Sequence, residues 1–291
     1  MTDDMSALAR RAWTVFEPVH AIVYFAPETR AAYEAAGLRG GWMGYFASRS
    51  APMGAVTSPV VVATFHNFQP ALVQRAIPDA WRLSTPERVL EARLSVVDRA
   101  LRRLWGGDVE SDDVREAASL AKRVTELLEG GGRPLYAAHA ALEAPEAPHL
   151  ALWHACTLLR EHRFDGHVAA LTGYDLDGLE ALVTATTASG LDPARLRQFR
   201  GWTEDEWHGA EDRLRSRNVL VGGGNLTEHG HELRRAVERI TDRLAAKVWE
   251  RAGTETTHRL LSLLHPLAMR LGGEQGIVYP NPIGVPEPQP A

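Results

Sequence analysis

The chain carries one pattern twice, and this internal duplication restricts its fold more than any other feature of the sequence. The segment "VVDRALRRLW" at 96–105 matches "ITDRLAAKVW" at 240–249, with an Asp-Arg pair and a final tryptophan at the same positions. A tyrosine follows each tryptophan at nearly the same distance, Tyr136 in the first copy and Tyr279 in the second. The pattern therefore indicates two copies of one unit.

A histidine marks the beginning of each copy. His20 opens "HAIVYFAPE" and His167 opens "HVAALTGYD", and they lie 85 and 82 residues before the two tryptophans. These spacings predict a repeat 1 at 1–146 and a repeat 2 at 147–291. We expect the two repeats to pack about a pseudo-twofold axis.

Most segments of both repeats have the apolar spacing of helices. Residues 86–105 place apolar side chains at three- and four-residue steps after a proline in the first turn. Residues 112–132 begin with acids and stop at glycines, as helix ends prefer, and 226–253 form a third long amphipathic segment. The glycine- and proline-rich stretch 130–149 is the predicted linker between repeats. The sequence therefore predicts a mainly α fold.

Charge and cysteine usage exclude several classes of partner. The formal net charge of the 291 residues is −5, so no basic excess indicates nucleic acid or an anionic membrane. Cys156 is the only cysteine, which excludes an intramolecular disulfide and favours a reducing compartment. No apolar run is long enough to span a bilayer. We expect a cytoplasmic protein without membrane contact, either a monomeric pseudo-dimer or a homodimer.

The end of repeat 2 has the order of a known DNA-binding motif. Two short helical segments and a longer one precede "NVLVGGGNLT" at 218–227, which predicts a strand, a glycine turn and a return strand. This order resembles a MarR-type winged helix, with recognition helix, wing and dimerisation helix in succession. Together with "FEPVHAIVYF", "GYFASRSAP", "TFHNF", "REHRFDGHVAAL" and "PNPIG", it makes the whole chain resemble an actinobacterial family of duplicated MarR-like winged helix-turn-helix proteins. The resemblance implies tandem winged-helix repeats with small β-wings, a single chain that mimics a MarR dimer.

The charge of the expected recognition helix argues against DNA binding. A recognition helix lies between phosphate groups, with its first residues at the base edges. Residues 203–212 contain no lysine or arginine, and the wing segment contains none either. Their five acidic side chains are Glu204, Asp205, Glu206, Glu211 and Asp212. Three arginines that follow, Arg213, Arg215 and Arg217, either touch the DNA backbone or pair with these acids. Repulsion from phosphates predicts that DNA binding has been lost.

Repeat 1 has the composition of a small-molecule site, with aromatic side chains and a few polar groups among them. The candidate ligand-binding residues are Trp42, Tyr45, Arg49, Phe65, His66 and Asn67, and the candidate catalytic residues are Glu17, His20 and Tyr24. Arg49 has two interpretations, a clamp for an anionic ligand or the partner of a buried acid. His66 either lines the cavity or packs in the core.

His20 is the strongest single candidate. Pro18 places Glu17 at a helix entry, with His20 one turn in and Tyr24 on the same face. The imidazole can act as acid or base, ligate a metal ion or haem iron, or bond to the packed backbone. Glu17 can orient its second nitrogen. His167 holds the matching place in repeat 2, so the two rings can bracket one metal ion or haem.

No motif identifies a reaction. The sequence has no Walker A loop, no GxGxxG after a strand, no HExxH and no GxSxG. Our leading prediction is a protein that binds a small molecule or cofactor in repeat 1, near the repeat interface, and that serves as an enzyme of specialised metabolism if it has an activity. The alternative is a ligand-responsive MarR-type transcriptional regulator.

Overall fold

The computed structural model describes residues 2–189 and 191–289, and within them the chain is almost entirely helical. Fifteen α-helices follow one another in this part of the chain. Their bounds are α1 Thr2–Phe25, α2 Glu28–Ala35, α3 Gly40–Ser50, α4 Ser58–Phe65, α5 Pro70–Gln74, α6 Asp79–Leu83, α7 Pro86–Trp105, α8 Asp112–Thr125, α9 Pro134–Ala140, α10 Pro148–Gly173, α11 Gly178–Ser189, α12 Pro193–Arg200, α13 Glu204–Ser216, α14 Glu228–Ala252 and α15 Thr254–Met269. Short 3-10 turns occupy Ala51–Met53, Gly106–Glu110 and Gly222–Gly224. None of the described helices is both long and apolar enough to cross a membrane.

The three long helices expected from periodicity and end signals are present as α7, α8 and α14, but α8 ends at Thr125, before the glycines 130–132 at which it was expected to stop. Each begins after a hydroxyl residue whose side chain accepts a hydrogen bond from the first turn: Thr85 before α7, Ser111 before α8 and Thr227 before α14. Glycine follows α7 at Gly106 and α14 at Gly253, both with positive φ. Local chemistry therefore fixes where all three helices begin and where α7 and α14 end.

Apolar side chains gather in three clusters. The largest joins α1, α7, α8, α10, α14 and α15, so long helices from both halves of the chain share one central core. A second cluster, the N-terminal lobe, is built from residues 33–89 with Leu135. A third, the C-terminal lobe, is built from residues 170–237. The architecture is a central bundle with two smaller lobes beside it.

The expected β-wings are not found in the described residues. The segment predicted as a wing forms a single antiparallel bridge, Leu220 with Leu226, around the turn Gly222–Gly224. Gly223 and Gly224 have positive φ, a conformation that turns the chain at once and leaves too few residues to extend a ladder. The other bridge, Gly272 with Ile277, is also isolated. The prediction of a mainly α fold holds, without strands in the described part.

The predicted linker at 130–149 is folded rather than solvent-exposed throughout. It contains α9, whose Leu135, Tyr136 and His139 are buried. The Asp165 carboxylate on α10 accepts a hydrogen bond of 2.9 Å from the backbone N–H of Tyr136. This stretch therefore packs against the central bundle.

The two lobes touch each other at a close backbone contact. The indole of Trp202 donates a 3.1 Å hydrogen bond to the carbonyl of Asn67, and the Gln69 N–H donates one of 3.1 Å to the carbonyl of Arg200. At Gly178 an added Cβ would lie 1.9 Å from the His66 carbonyl oxygen, so only glycine allows this approach. A cavity lies behind these contacts.

Candidate ligand-binding site

A cavity of about 290 Å³ lies between the two lobes and the central bundle. Helices α1, α3, α10, α12 and α14 line it, and the segment after α15 closes one side. We call it the arginine cavity, because five arginines line it: Arg10, Arg49, Arg160, Arg163 and Arg200. Four of these guanidinium groups have carboxylate partners.

Glu161 on α10 is the centre of a buried ion-pair network. It accepts hydrogen bonds from Arg49 Nε at 3.2 Å and Nη2 at 3.0 Å, and from Arg160 Nη1 at 2.8 Å. Burial acts to raise the pKa of Glu161, but Arg160 and Arg49 hold it well below its usual range. Arg160 also donates to Glu17 at 3.2 Å. Arg49 therefore has a protein acid as its partner, the second of its two interpretations.

Two further arginines are paired across α1, α10 and α14. Arg10 forms ion pairs with Glu238 and Asp242, and Arg163 lies 2.7 Å from Asp242. The Arg163 guanidinium stacks over the ring of Trp13 at 5.1 Å. Its Nη1 is buried and has no hydrogen-bond partner among the described residues.

Arg200 is the exception among the five. It is only 6 % exposed, and no carboxylate of the described residues forms an ion pair with it. Its Nη2 donates to the Pro282 carbonyl at 3.2 Å, its plane covers the Phe68 ring at 4.4 Å, and its Nε has no partner in the part of the chain that the structure describes. The pKa of Arg200 is lowered to about 10, mainly by burial and further by the charge of Arg49. The neighbouring Tyr45 acts in the opposite direction and raises this pKa.

Local sequence explains how Arg200 reaches the cavity. Asp192 caps α12 by accepting hydrogen bonds from two N–H groups of its first turn. Gly201, with φ of 82°, ends the helix in the left-handed conformation. The chain then turns toward Asn67, so the last side chain of α12 points between the lobes.

His20 is fully buried, and both of its ring nitrogens have partners. Nδ1 lies 3.0 Å from Thr157 Oγ1, whose own proton goes to the Trp153 carbonyl, so Nδ1 carries the hydrogen and Thr157 accepts it. Nε2 then accepts the hydroxyl proton of Tyr24 at 3.2 Å. Burial, followed by the charge of Arg160, lowers the pKa of His20 well below its usual value. The imidazole is neutral and does not line the arginine cavity.

The expected pairing of Glu17 with His20 is wrong. The Glu17 carboxylate accepts hydrogen bonds from Trp13 Nε1 at 3.1 Å and from Arg160 instead. Three residues separate the two side chains on α1, but Arg160 draws the carboxylate toward the arginine cavity. Glu17 lines that cavity, whereas Tyr24 lines a different one.

His20 and His167 do not share a site. His167 lines the arginine cavity and bonds to Thr241 Oγ1 at 2.9 Å. Thr157, the partner of His20, precedes His167 by ten residues on α10, roughly 15 Å along the helix axis. One metal ion cannot reach both rings at that separation. In the described residues, no group of three or more His, Cys, Asp or Glu is placed to hold a metal ion.

The remaining predicted residues are divided between cavity wall and core. Tyr45 and Asn67 line the arginine cavity. Phe65 is fully buried beneath the Arg49 guanidinium at 4.4 Å, and Trp42 packs edge-to-face on Phe199 at 4.7 Å. His66, with φ of 64°, ends α4 in the lobe contact, and burial lowers its pKa.

Sequence reasoning missed the residues that make the network. Arg160, Glu161 and Arg163 lie in the "REHR" segment of α10, a helix that is apolar on almost every side. Charged residues inside such a helix have to be buried and paired, so this signal was available. Arg200 had none, because "RLRQFR" has the composition of an exposed helix end.

Helix α13 lies where the sequence predicted the recognition helix. It has exposed acids, and its arginines pair with carboxylates. Glu204 and Asp205 in its first turn are exposed. Arg215 pairs with Glu211 and Asp212, whereas Arg213 pairs with Asp177 and Glu180. Arg217 bonds to Glu180 and to two backbone carbonyls. The Glu206 carboxylate accepts a hydrogen bond from Gln69, so the start of α13 is held against the N-terminal lobe.

Comparison with known proteins gives one match. A family model described as a helix-turn-helix family matches residues 9–278, which is most of the chain. No curated protein and no solved structure matches it.

Proposed function

The chain belongs to this helix-turn-helix family, and we propose that it uses that architecture to bind a small organic anion in the arginine cavity rather than to hold DNA. The observation that carries the proposal is Arg200, a buried guanidinium without a carboxylate partner. A buried charge that lacks a counter-charge costs several kcal/mol, and an anionic ligand would remove that cost. The anionic ligand would supply the counter-charge that Arg200 lacks.

The rest of the lining supports an anion with an apolar body. Phe68, Phe164, Leu182, Leu196 and Ile283 face the same cavity. A site of this kind places a few charged donors at one end and excludes water with apolar side chains at the other. Arg163, whose Nη1 has no hydrogen-bond partner among the described residues, is a second guanidinium on the cavity wall. An aromatic or aliphatic carboxylate combines these two properties.

We also propose that the two repeats form a MarR-like pseudo-dimer. The shared central core of long helices with a lobe from each half of the chain supports this arrangement. In such a pseudo-dimer the arginine cavity lies where the lobes meet. A ligand there would bind to both halves at once.

A DNA-binding regulator remains the second candidate, because the family is named for a DNA-binding motif. The acidic, self-paired surface of α13 opposes it, since phosphate contacts need unpaired basic side chains. An enzyme with His20 as acid or base has less support, because both ring nitrogens are bonded within the protein and the ring does not line the arginine cavity.

Calorimetric titration with benzoate, and with uncharged benzamide of the same shape, tests the proposal. We expect benzoate to bind and benzamide not to bind. Arg200→Gln should weaken benzoate binding about 10- to 100-fold, the value of one charge-assisted hydrogen bond. Arg82→Gln, at an exposed arginine outside the cavity, is the matched control and should bind as the unaltered chain does.

Two results would overturn the proposal. One is equal binding of benzoate by the unaltered chain and Arg200→Gln, or no binding by either. The other is tight, salt-sensitive binding of a duplex to the unaltered chain, measured by fluorescence anisotropy at low salt, which would favour the regulator.

A further inference from the structure

A second cavity, of about 480 Å³, lies under the turn between α1 and α2. We call it the tyrosine cavity, because Tyr24, Tyr33 and Tyr45 line it. Tyr45 is also a wall of the arginine cavity, so one phenol ring stands between the two spaces. We propose that the tyrosine cavity is a separate binding site for an uncharged aromatic molecule that carries a carbonyl oxygen.

The charge of the lining supports an uncharged ligand. Arg30 and Glu34 are the charged residues on its wall, and they pair with each other at 2.8 Å. Their side chains are 84 % and 49 % exposed, so this pair sits at the solvent side and not in the interior. The remaining wall consists of phenol rings, apolar side chains and glycines. The wall itself therefore offers no charge that faces the interior of the cavity.

The hydroxyl groups supply the polar contacts. The buried Tyr33 hydroxyl lies beside Ser48 but makes no well-aligned hydrogen bond within the described residues. Burial raises the pKa of Tyr33, so the hydroxyl keeps its proton at neutral pH and can donate it. Tyr24 gives its own proton to His20 and cannot donate inward. The Tyr45 hydroxyl accepts a bond from Arg49 at 3.3 Å, so within the described residues the donors left for a ligand are Tyr33 and Tyr45, and a carbonyl oxygen is their natural acceptor.

Arg93 lies behind these phenols and strengthens the argument for an electron-rich acceptor. This arginine is 2 % exposed, and its Nη1 donates to His139 Nε2 at 2.9 Å and to the Ser48 carbonyl at 3.3 Å. Its Nε and Nη2 have no partner within the described residues. Because a positive charge polarises a neighbouring phenol, it makes the O–H of Tyr33 a stronger donor.

The walls fit an aromatic occupant. The rings of Tyr24 and Tyr45 are 5.2 Å apart and inclined at 52°. An aromatic ligand can pack against this pair in the same tilted arrangement. Gly40 and Gly41 form one edge of the cavity, and a Cβ added at either would meet no atom within 4 Å. Gly41 is a useful position for a test, because its backbone suits any residue and a larger side chain has room to enter.

The test uses the fluorescent probe 6-propionyl-2-(dimethylamino)naphthalene, which is aromatic, uncharged and carries one carbonyl. We expect saturable binding of one equivalent with a blue shift of emission. Gly41→Leu should weaken binding at least tenfold by filling the space. Gly107→Leu, at an exposed glycine whose Cβ also meets nothing, is the matched control and should leave binding unchanged.

Tyr33→Phe keeps the ring and removes only the donor, so it should weaken the probe about fivefold even if Gly41→Leu fails to fold. Arg200→Gln should leave probe binding unchanged, which separates this site from the arginine cavity. Absence of saturable binding, equal binding by Gly41→Leu in folded form, or equal binding by Tyr33→Phe would overturn the proposal.

Discussion

The carboxylate of Glu161 accepts two hydrogen bonds from Arg49, a residue 112 positions earlier in the chain. This contact joins α3 of the N-terminal lobe to α10 of the central bundle, and both side chains are at most 2 % exposed. Arg160 adds a third bond to the same carboxylate. The charges around the arginine cavity are therefore held in place by the protein before any ligand enters.

Glu161→Gln should lower the free energy of unfolding by about 3–5 kcal/mol, because it leaves Arg49 without its counter-charge in a buried site. Urea denaturation followed by circular dichroism measures this value. Glu34→Gln breaks an exposed pair with Arg30 and should change it by less than about 1 kcal/mol. Similar losses in the two variants would show that the buried network is not a source of stability.

Arg200→Met should have the opposite effect and raise the free energy of unfolding by at least about 1 kcal/mol, because it removes a buried charge that has no carboxylate partner. The same variant should lose the added stability that benzoate gives the unaltered chain. Arg82→Met, at an exposed position, serves as the control. Destabilisation by Arg200→Met would mean that the guanidinium is satisfied within the protein.

Gly178→Ala should destabilise the fold by about 1–3 kcal/mol, because the new methyl group would lie 1.9 Å from the His66 carbonyl oxygen where the lobes meet. Gly209→Ala is the matched control, since its added methyl group would lie 4.0 Å from Arg213 Nη1 and the position is inside α13. It should stabilise the helix by about 0.5–1 kcal/mol. Thermal unfolding of both variants tests the lobe contact, and a neutral Gly178→Ala would contradict it.

His162 should make the protein sensitive to acid. Burial, followed by the charge of Arg133, lowers its pKa from 6.5 to about 3 in the folded state. The neutral, buried His162 ring therefore lowers no stability above pH 6.5. As the pH falls from 6.5 toward 3, the free energy of unfolding decreases, since the unfolded chain binds the proton first. Between pH 6 and 4, His162→Gln should make the decline in the free energy of unfolding shallower by about 1.4 kcal/mol per pH unit. Equal slopes in the unaltered chain and in His162→Gln would refute the assignment.

Local signals were enough to predict the long helices. α7 begins and ends at the expected Pro86 and Trp105, because a proline, a threonine cap and a glycine act on the chain within one turn. The prediction of β-wings was wrong for an equally local reason, since three glycines in succession turn the chain and do not support flanking strands. The mainly helical class followed from periodicity, which needs no knowledge of packing.

The site was harder to predict because its chemistry depends on contacts between distant segments. The sequence singled out Arg49 but gave no indication that its partner was Glu161 rather than a ligand. Burial of Arg200 results from the way two lobes meet, and no pattern near residue 200 encodes it. His20 was predicted to be a catalytic or metal-ligating group, with packing as the alternative, and its expected pairing with Glu17 depended on where Arg160 would lie.

The most direct test of the central claim is the structure of crystals soaked in 4-bromobenzoate, with the anomalous signal of bromine locating the molecule. We expect a bromine peak inside the arginine cavity and a carboxylate within hydrogen-bond distance of the Arg200 guanidinium, with Arg200→Gln crystals showing no peak there. An empty cavity at saturating concentration, or a protein carboxylate bound to Arg200, would contradict it.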